Sequence, residues 1–241
     1  MQSSQFDYTF VKHLYNKFKD VYFEDKTHTY YNKGNKLISV TQAIKLFEPE
    51  FDKEYWSNYK AKQRGVTQDV ILQEWEETKN IGLERGNIIH DYIEATHKRE
   101  LKPSIPYTSV NAYLESNTDI PFLSEFIIGT DCIGGKFDNL SIRNYHLVLK
   151  DWKGNKKFEI ESPYKLCNGL EHLPNTEYYK YALQVSLYRY ILDLDDIQQM
   201  EVVWFNNDTY QIFDMPYLKD EAEYIHNYVN SRSYSNTKGF N

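Results

Sequence analysis

Residues 134–153, with the sequence GGKFDNLSIRNYHLVLKDWK, constrain the fold of this chain more than any other stretch. Residues 133–142 and 145–152 are rich in β-branched, aromatic and aliphatic side chains, which favour a pleated surface. A tight turn at Arg143 and Asn144 would join the two runs. The segment therefore predicts a β-hairpin.

Three charged side chains in this hairpin are candidates for a functional site. Because side chains alternate along a strand, Asp151 and Lys153 share one face while Trp152 points to the other. The predicted turn places Asp138 opposite Leu149 and diagonal to Asp151 on the same face, roughly 7–8 Å away at the backbone. Two carboxylates so placed can bind one cation. The structural alternative is that Asp138 caps a strand end and that Asp151 and Lys153 form a solvated ion pair of small energetic value.

The pattern GGKFD followed by LVLKDWK resembles the PD-(D/E)XK nuclease superfamily, in particular its RecB-like, phage-type exonuclease branch. The resemblance implies that Asp138 is the first acid of the motif, Asp151 the second acid and Lys153 the lysine. Phe137 stands where the motif name has proline, a departure that is common in the superfamily. A further metal ligand implied by the resemblance is the backbone carbonyl of Trp152.

A second motif lies in residues 81–96, IGLERGNIIHDYIEAT, which predict a helix with a broad apolar face. His90 and Glu94 are four residues apart and share a face, and Gly86 on that face would allow close approach to a strand or a substrate. Without the resemblance, His90 is a residue at the margin of the core. RecB-like nucleases carry Gly-x-x-x-His-x-x-x-Glu here, which implies that His90 binds the metal. Arg85 and Glu94 are expected to contact nucleic acid or to support the ligands.

A third motif is the Gln-x-x-x-Tyr pair of Gln184 and Tyr188, four residues apart on the helix predicted at 177–194. In the family this pair follows the hairpin, so Gln184 is expected to orient the metal-side network or a phosphate. Tyr188 is expected to hydrogen-bond to the nucleic acid or to stack on it. Glu125 lies where family members often place a glutamate before the Gly-x-x-Asp strand, with an acid on an edge strand as the equal alternative.

The resemblance implies an α/β fold with a restriction-endonuclease-like αβββαβ core, a mixed sheet flanked by helices. We expect a single nuclease domain over residues 1–241. Residues 1–80 would form an N-terminal helical and hairpin extension, residues 81–216 the catalytic core, and residues 217–241 a C-terminal helix and a loose tail from residue 231. Residues 51–79 read as helical, with these side chains as expected core contacts: Trp56, Tyr59, Ala61, Val70, Ile71 and Trp75.

The composition limits the partners of the chain. A net charge of −7 and a pI near 5.5 lack the basic balance of a general nucleic-acid binder. Residues 143–165 are locally basic, with six basic and three acidic side chains. The two cysteines, Cys132 and Cys167, indicate a reducing compartment and are too few for an iron–sulfur cluster. The sequence shows no signal peptide and no apolar run long enough for a membrane span, which predicts a cytoplasmic protein of a bacterium or a phage-infected host.

The resemblance implies a Mg²⁺- or Mn²⁺-dependent deoxyribonuclease that hydrolyses phosphodiester bonds of single-stranded DNA or duplex ends, as an exonuclease in recombination, repair or degradation. Lys153 would contact the attacking water or a non-bridging oxygen. Three alternatives remain open from the sequence. They are a structure- or sequence-directed endonuclease on the same fold, a DNA-binding module that has lost catalysis, and an unrelated metal hydrolase of small phosphate esters.

Overall fold

A computed structural model describes residues 8–100 and 107–237 of the 241-residue chain. Within these ranges the helices are α1 Tyr8–Lys17, α2 Val40–Lys45, α3 Lys53–Arg64, α4 Gln68–Lys98, α5 Thr108–Ser116, α6 Glu177–Leu192 and α7 Lys219–Thr237. The strands are β1 Val21–Glu24, β2 Thr29–Asn32, β3 Asn35–Ser39, β4 Ile120–Gly129, β5 Ile133–Arg143, β6 His146–Lys153, β7 Ile197–Phe205 and β8 Tyr210–Asp214.

The strands form one open mixed sheet with the order β1-β2-β3-β5-β6-β7-β8, and β4 pairs with β5 outside that path. The β3–β5 and β6–β7 pairs are parallel, and the other pairs are antiparallel. The main core lies between the sheet and α1, α2, α6 and α7, and a smaller core joins α4 and α5 to β6 and β7. The predicted α/β class, a mixed sheet flanked by helices, is confirmed.

The hairpin of β5 and β6 forms, but its turn lies one residue later than predicted. Asn144 and Tyr145 both have positive φ, 50° and 66°, which is the backbone of a two-residue hairpin turn. As a result Leu149 faces Leu140 and not Asp138. The predicted cross-strand neighbours of Asp138 are therefore wrong.

A buried ionic cluster fixes this register. Arg143 donates to Asp119 at 2.6 and 2.7 Å and to Glu201 at 2.6 and 3.1 Å, which holds it in the strand. Lys150, only 1% exposed, donates to Asp119 Oδ2 at 2.5 Å and to the Tyr113 hydroxyl at 3.1 Å. Two of the six basic residues in 143–165 are thus neutralised by acids from other strands and loops. The local positive charge expected from the sequence is smaller at the surface.

The helical prediction for residues 51–79 is confirmed by α3 and the first part of α4, but several of the expected core contacts are wrong. α4 is one continuous helix from Gln68 to Lys98, and α3 packs against it. Ala61 and Ile71 are buried as predicted, whereas Trp56, Tyr59 and Val70 are 38%, 42% and 39% exposed and are not core contacts. Trp56 and Tyr59 do lie on a helix, as their spacing predicts, but on its outward face.

The C-terminal helix α7 continues to Thr237, so the prediction of a loose tail from residue 231 is wrong for residues 231–237. The rest of that tail, the start of the helix predicted near the N-terminus and most of the connector before α5 lie outside the described residues. In the part of the chain that is described, no helix has the length and apolar character needed to cross a membrane.

The ionic cluster gives a stability prediction. Lys150→Ala should lower the free energy of unfolding by about 3 kcal/mol, because it leaves the buried carboxylates of Asp119 and Glu201 with Arg143 as their remaining cation. The exposed control Lys156→Ala should stay within about 0.5 kcal/mol of the wild type. Urea unfolding followed by circular dichroism measures both. Equal stability of the two variants would contradict the role given to the cluster.

Candidate functional site

The site begins where the β5–β6 hairpin opens. Regular pairing of the two strands ends at Asn139 and Lys150. Beyond that point the Trp152 backbone N–H donates to the side chain of Asp138, at 2.6 Å to Oδ2, and not to a carbonyl of β5. A carboxylate therefore takes the place of a ladder hydrogen bond, buried between the two strands.

Both strands that flank this point break their alternation. The buried apolar side chains of β4 and β5 in the main core lie an even number of residues apart except for one three-residue step in each strand. The step runs from Leu123 to Phe126 in β4, before Ile128, and from Phe137 to Leu140 in β5, after Ile133. The steps contain Glu125 and Asp138. Glu125 has φ 52°, a left-handed backbone that costs a non-glycine residue on the order of 1–3 kcal/mol and often marks a functional position.

Three side chains converge at this break. His90 Nδ1, from α4, lies 3.4 Å from Asp138 Oδ1 and 3.6 Å from Glu125 Oε1. Each residue offers one ligand atom, and these atoms all lie within 4.8 Å of one another. The other ring nitrogen, His90 Nε2, lies 3.1 Å from the Trp152 carbonyl. Two of the four metal ligands predicted from the sequence, His90 and Asp138, meet here with Glu125, while the Trp152 carbonyl contacts the other ring nitrogen of His90 and Asp151 lies in a separate group.

The ionisation of this group reflects its buried negative charge. Burial lowers the pKa of His90, but the carboxylates of Asp138 and Glu125 more than offset this and raise it to about 9. Burial raises the pKa of Asp138 to about 7, helped by Asp151 and opposed by His90. Burial also raises the pKa of Glu125, but His90 and Lys136, which pairs with Glu125, bring it below its ordinary value. The acids are thus balanced by an imidazolium and a lysine.

A second group surrounds Asp151. Gln184 Nε2, from α6, donates to Asp151 Oδ1 at 2.9 Å and lies 3.1 Å from the Tyr188 hydroxyl. Lys153 Nζ lies 2.6 Å from Asp151 Oδ2 and 4.7 Å from the centre of the Tyr181 ring. Burial lowers the pKa of Lys153, but Asp151 and Asp138 more than offset this, so its pKa is raised and the ammonium stays charged.

The two motif acids face different helices. Asp138 contacts His90 of α4, whereas Asp151 contacts Gln184 of α6. In a regular hairpin the two acids would share one face of the sheet. They do not, because the three-residue step in β5 turns Asp138 to the other face. They remain close enough for each to act on the charge of Lys153.

Close packing explains the paired glycines at the start of β5. A Cβ on Gly135 would lie 2.8 Å from Tyr188 Cε1, and one on Gly134 would lie 2.7 Å from Tyr30 Cβ. Gly86, in contrast, has no atom within 4 Å of a built Cβ, so the predicted close approach to a strand is not found and the residue lines an open cavity. Tyr188 is 4% exposed, so it can hydrogen-bond to the network but its ring is not available for stacking on nucleic acid.

The remaining two predicted residues have different settings. Arg85 stacks on Tyr107, with its guanidinium 4.3 Å from the ring centre, and donates to the Phe205 carbonyl at 3.2 Å and to Asn207. It therefore ties α4 to the β7–β8 turn and does not reach the converging group. Glu94 pairs with Lys98 and lines the cavity beside His90.

A cavity of about 330 Å³ gives access to the converging group. His90, Glu125, Lys136 and Asp138 line it, together with residues of α4. Sequence reasoning missed Lys136 as a site residue, although its position two residues before Asp138 on a strand was a signal. It also missed Tyr181, which lies three residues before Gln184 and so on the same side of a helix.

The donor atoms fit a divalent cation. Carboxylate oxygens are the ligands that Mg²⁺ and Mn²⁺ prefer, and one imidazole suits Mn²⁺. Asp151 Oδ2 is buried and lies 2.6 Å from Lys153 Nζ, which donates to it. A cation bound between His90, Glu125 and Asp138 would supply the positive charge that a protonated His90 supplies in this structure.

Comparison with known proteins adds little. No protein-family model and no curated protein matches the sequence. One solved structure, described as "Crystal structure of SSO0001", has a TM-score of 0.35 and 15% identity over 94% of this chain and 86% of that chain. A TM-score this low supports no conclusion about fold or function.

Asp138→Asn tests the cation site. The amide keeps the shape of the side chain and an oxygen for the Trp152 N–H, but it removes a charged ligand. We expect Mn²⁺ affinity to fall by more than about 100-fold, beyond the loss typical of a residue that only supports a ligand. Calorimetric titration measures this, with the exposed Asp131→Asn as the matched control. Wild-type affinity in Asp138→Asn would rule out the site.

Proposed function

We propose that the chain is a metal-dependent DNA nuclease, most consistent with an exonuclease of the RecB-like, phage-type branch. The observation that carries the proposal is the convergence of His90, Glu125 and Asp138 beside the Asp151–Lys153 ion pair, at the opening of the β5–β6 hairpin. A solvated surface pair would not be buried, and both Asp138 and Asp151 are. The order α4, β4, β5, β6, α6, β7, with α5 inserted after α4, agrees with the αβββαβ core that the motifs imply.

The ion would be held by His90, Glu125 and Asp138, with Asp151 and the Trp152 carbonyl as further ligands that the family resemblance implies. When bound, a divalent ion supplies a lowered pKa for water and neutralises charge on the phosphoryl oxygens. Every other contribution comes from the side chains of this chain.

Lys153 provides a fixed positive charge. Its raised pKa keeps the ammonium protonated, so it donates hydrogen bonds and does not act as a general base. A buried cation in this position stabilises the negative charge that develops on the phosphoryl oxygens in the transition state. Asp151 and the ring of Tyr181 hold Lys153 in place.

Gln184 and Tyr188 position Asp151. Gln184 holds one oxygen of Asp151 and leaves the other facing Lys153. Tyr188 anchors Gln184 and packs on Gly135 of β5, so the network depends on the missing side chain there. These residues support the reacting groups without contacting the substrate.

Cleavage of end-labelled DNA tests the proposed function. Linear single-stranded and duplex DNA should be shortened from an end with Mg²⁺ or Mn²⁺ and remain intact with EDTA, while covalently closed circles should persist. Cleavage of the circles would point to an endonuclease using the same site. Metal-dependent cleavage of none of these substrates would refute the nuclease proposal.

Lys153 separates chemistry from binding. Lys153→Ala should keep Mn²⁺ and DNA affinity while the single-turnover rate falls by about 10²–10³, the usual cost of one transition-state electrostatic contact. Lys153→Arg should also fail, because a planar guanidinium does not reproduce a compact ammonium held between Asp151 and Tyr181. The exposed Lys157→Ala is the control. Near-normal rates in both Lys153 variants would show that this lysine has no part in catalysis.

A further inference from the structure

Helix α3 presents an unusual cluster of exposed aromatic rings. Tyr55, Trp56 and Tyr59 are 57%, 38% and 42% exposed, and Phe51 just before the helix is 60% exposed. The rings of Tyr55 and Tyr59 are nearly parallel, 9° apart with centres separated by 6.3 Å, and Trp56 is edge-on to both. The helix itself buries Ser57 and Ala61. Phe51 contacts the ring of Trp75 on α4 at 5.8 Å, whereas the rings of Tyr55, Trp56 and Tyr59 contact one another on the outward face of α3.

The charge of α3 is opposite to that of the chain. The helix carries four basic residues and one acid, in a protein with a net charge of −7. Lys53, Lys60 and Lys62 are exposed on this helix, and Lys62 lies beside Tyr55 and Tyr59. Arg64 and Glu74 of α4 form an ion pair and neutralise each other, which leaves Lys53, Lys60 and Lys62 as the exposed basic residues of α3 beside the acids Asp52 and Glu54. Asp52 caps the helix by accepting from the Tyr55 N–H at 2.8 Å.

We propose that α3 is a docking surface for a single-stranded nucleic acid. Aromatic faces that stack on bases and lysines that contact the phosphates are the two components of strand-binding platforms that do not read sequence. A cavity of about 540 Å³ beside Tyr55 and Tyr59 gives room for a base, and Asp52, Glu54, Asn58 and Lys62 also line it.

The interleaved lysines favour a nucleic acid over a second copy of this chain. The buried centre of a protein–protein interface is depleted of lysine and enriched in aromatic residues. On α3, Lys62 lies three residues after Tyr59 and lines the same cavity, so covering the rings of Tyr55 and Tyr59 with protein would also cover this ammonium group. A phosphate backbone gains from the same charge.

The position of α3 connects it to the candidate site. α3 packs on the first half of α4, and His90 lies on the second half of the same helix. From Glu74, which contacts α3, to His90 the helix rises about 24 Å at about 1.5 Å per residue. A strand on α3 would thus continue to the catalytic group within several nucleotides. The assignment of this strand as the substrate rests on the proposed function, whereas its binding does not.

Binding of a fluorescein-labelled oligothymidylate of about 20 nucleotides, a length that exceeds typical strand-binding sites, tests the proposal. The measurement is made with EDTA, so that cleavage and metal do not contribute. Tyr55→Ala combined with Tyr59→Ala should raise Kd by about 10- to 100-fold through the loss of stacking. Lys60→Glu combined with Lys62→Glu should weaken binding and flatten its salt dependence.

Two matched controls hold residue type and exposure constant. Tyr22→Ala removes from β1 an exposed tyrosine whose ring stacks on that of Tyr31 of β2, with ring centres 5.2 Å apart. Lys157→Glu reverses the charge of an exposed lysine outside α3. Both should bind as the wild type does, and circular dichroism verifies that every variant is folded.

Wild-type affinity in both α3 variants would overturn the docking proposal, as would a change of oligomeric state in sedimentation without a change in binding. The outcome is separate from that of the cleavage assay. Strand binding that depends on α3 in a chain that cleaves no DNA would leave this proposal standing and remove the nuclease. If the wild type cleaves DNA and the α3 variants bind the oligonucleotide with normal affinity, the nuclease proposal stands and the docking proposal fails.

Discussion

The hydrogen bond from the Trp152 N–H to the Asp138 carboxylate is the interaction on which the rest of the site depends. It ends the β5–β6 ladder and keeps a charged group between two buried strands. The backbone step at Asp138 and the left-handed Glu125 opposite it turn both acids toward His90 on α4. The strain at Glu125 persists because the surrounding sheet fixes both neighbours.

The two halves of the site are joined by charge. Buried acids are costly unless paired, and each here has a cationic or hydrogen-bonding partner: the imidazolium of His90, Lys136, Lys153 or Gln184. The carboxylates of Glu125 and Asp138 form a centre that attracts cations. Some basic side chains of this protein are used inside the fold, as Lys150 is, and others are exposed, among them three lysines of α3. Net charge alone is therefore a poor guide to whether this chain meets nucleic acid.

The sequence predicted the strands around the motif and the helix with His90, because period-two and period-3.6 patterns report burial directly. It placed Asp138, Asp151, Lys153 and Gln184 in one region. The register of the hairpin was not predictable, since Arg143 is fixed by ion pairs with residues distant in sequence. The backbone of Glu125 was not predictable either, because a left-handed glutamate in a strand has no local signal. The aromatic residues of α3 show the same period whether they face a core or solvent.

Crystals grown with Mn²⁺ and measured at a wavelength where manganese scatters anomalously test the central claim most directly. The account predicts an anomalous peak at the opening of the β5–β6 hairpin, with His90, Glu125 and Asp138 as ligands, and its loss in Asp138→Asn. The absence of an anomalous peak at this position, in crystals where Mn²⁺ is bound elsewhere or not at all, would contradict the account of the site.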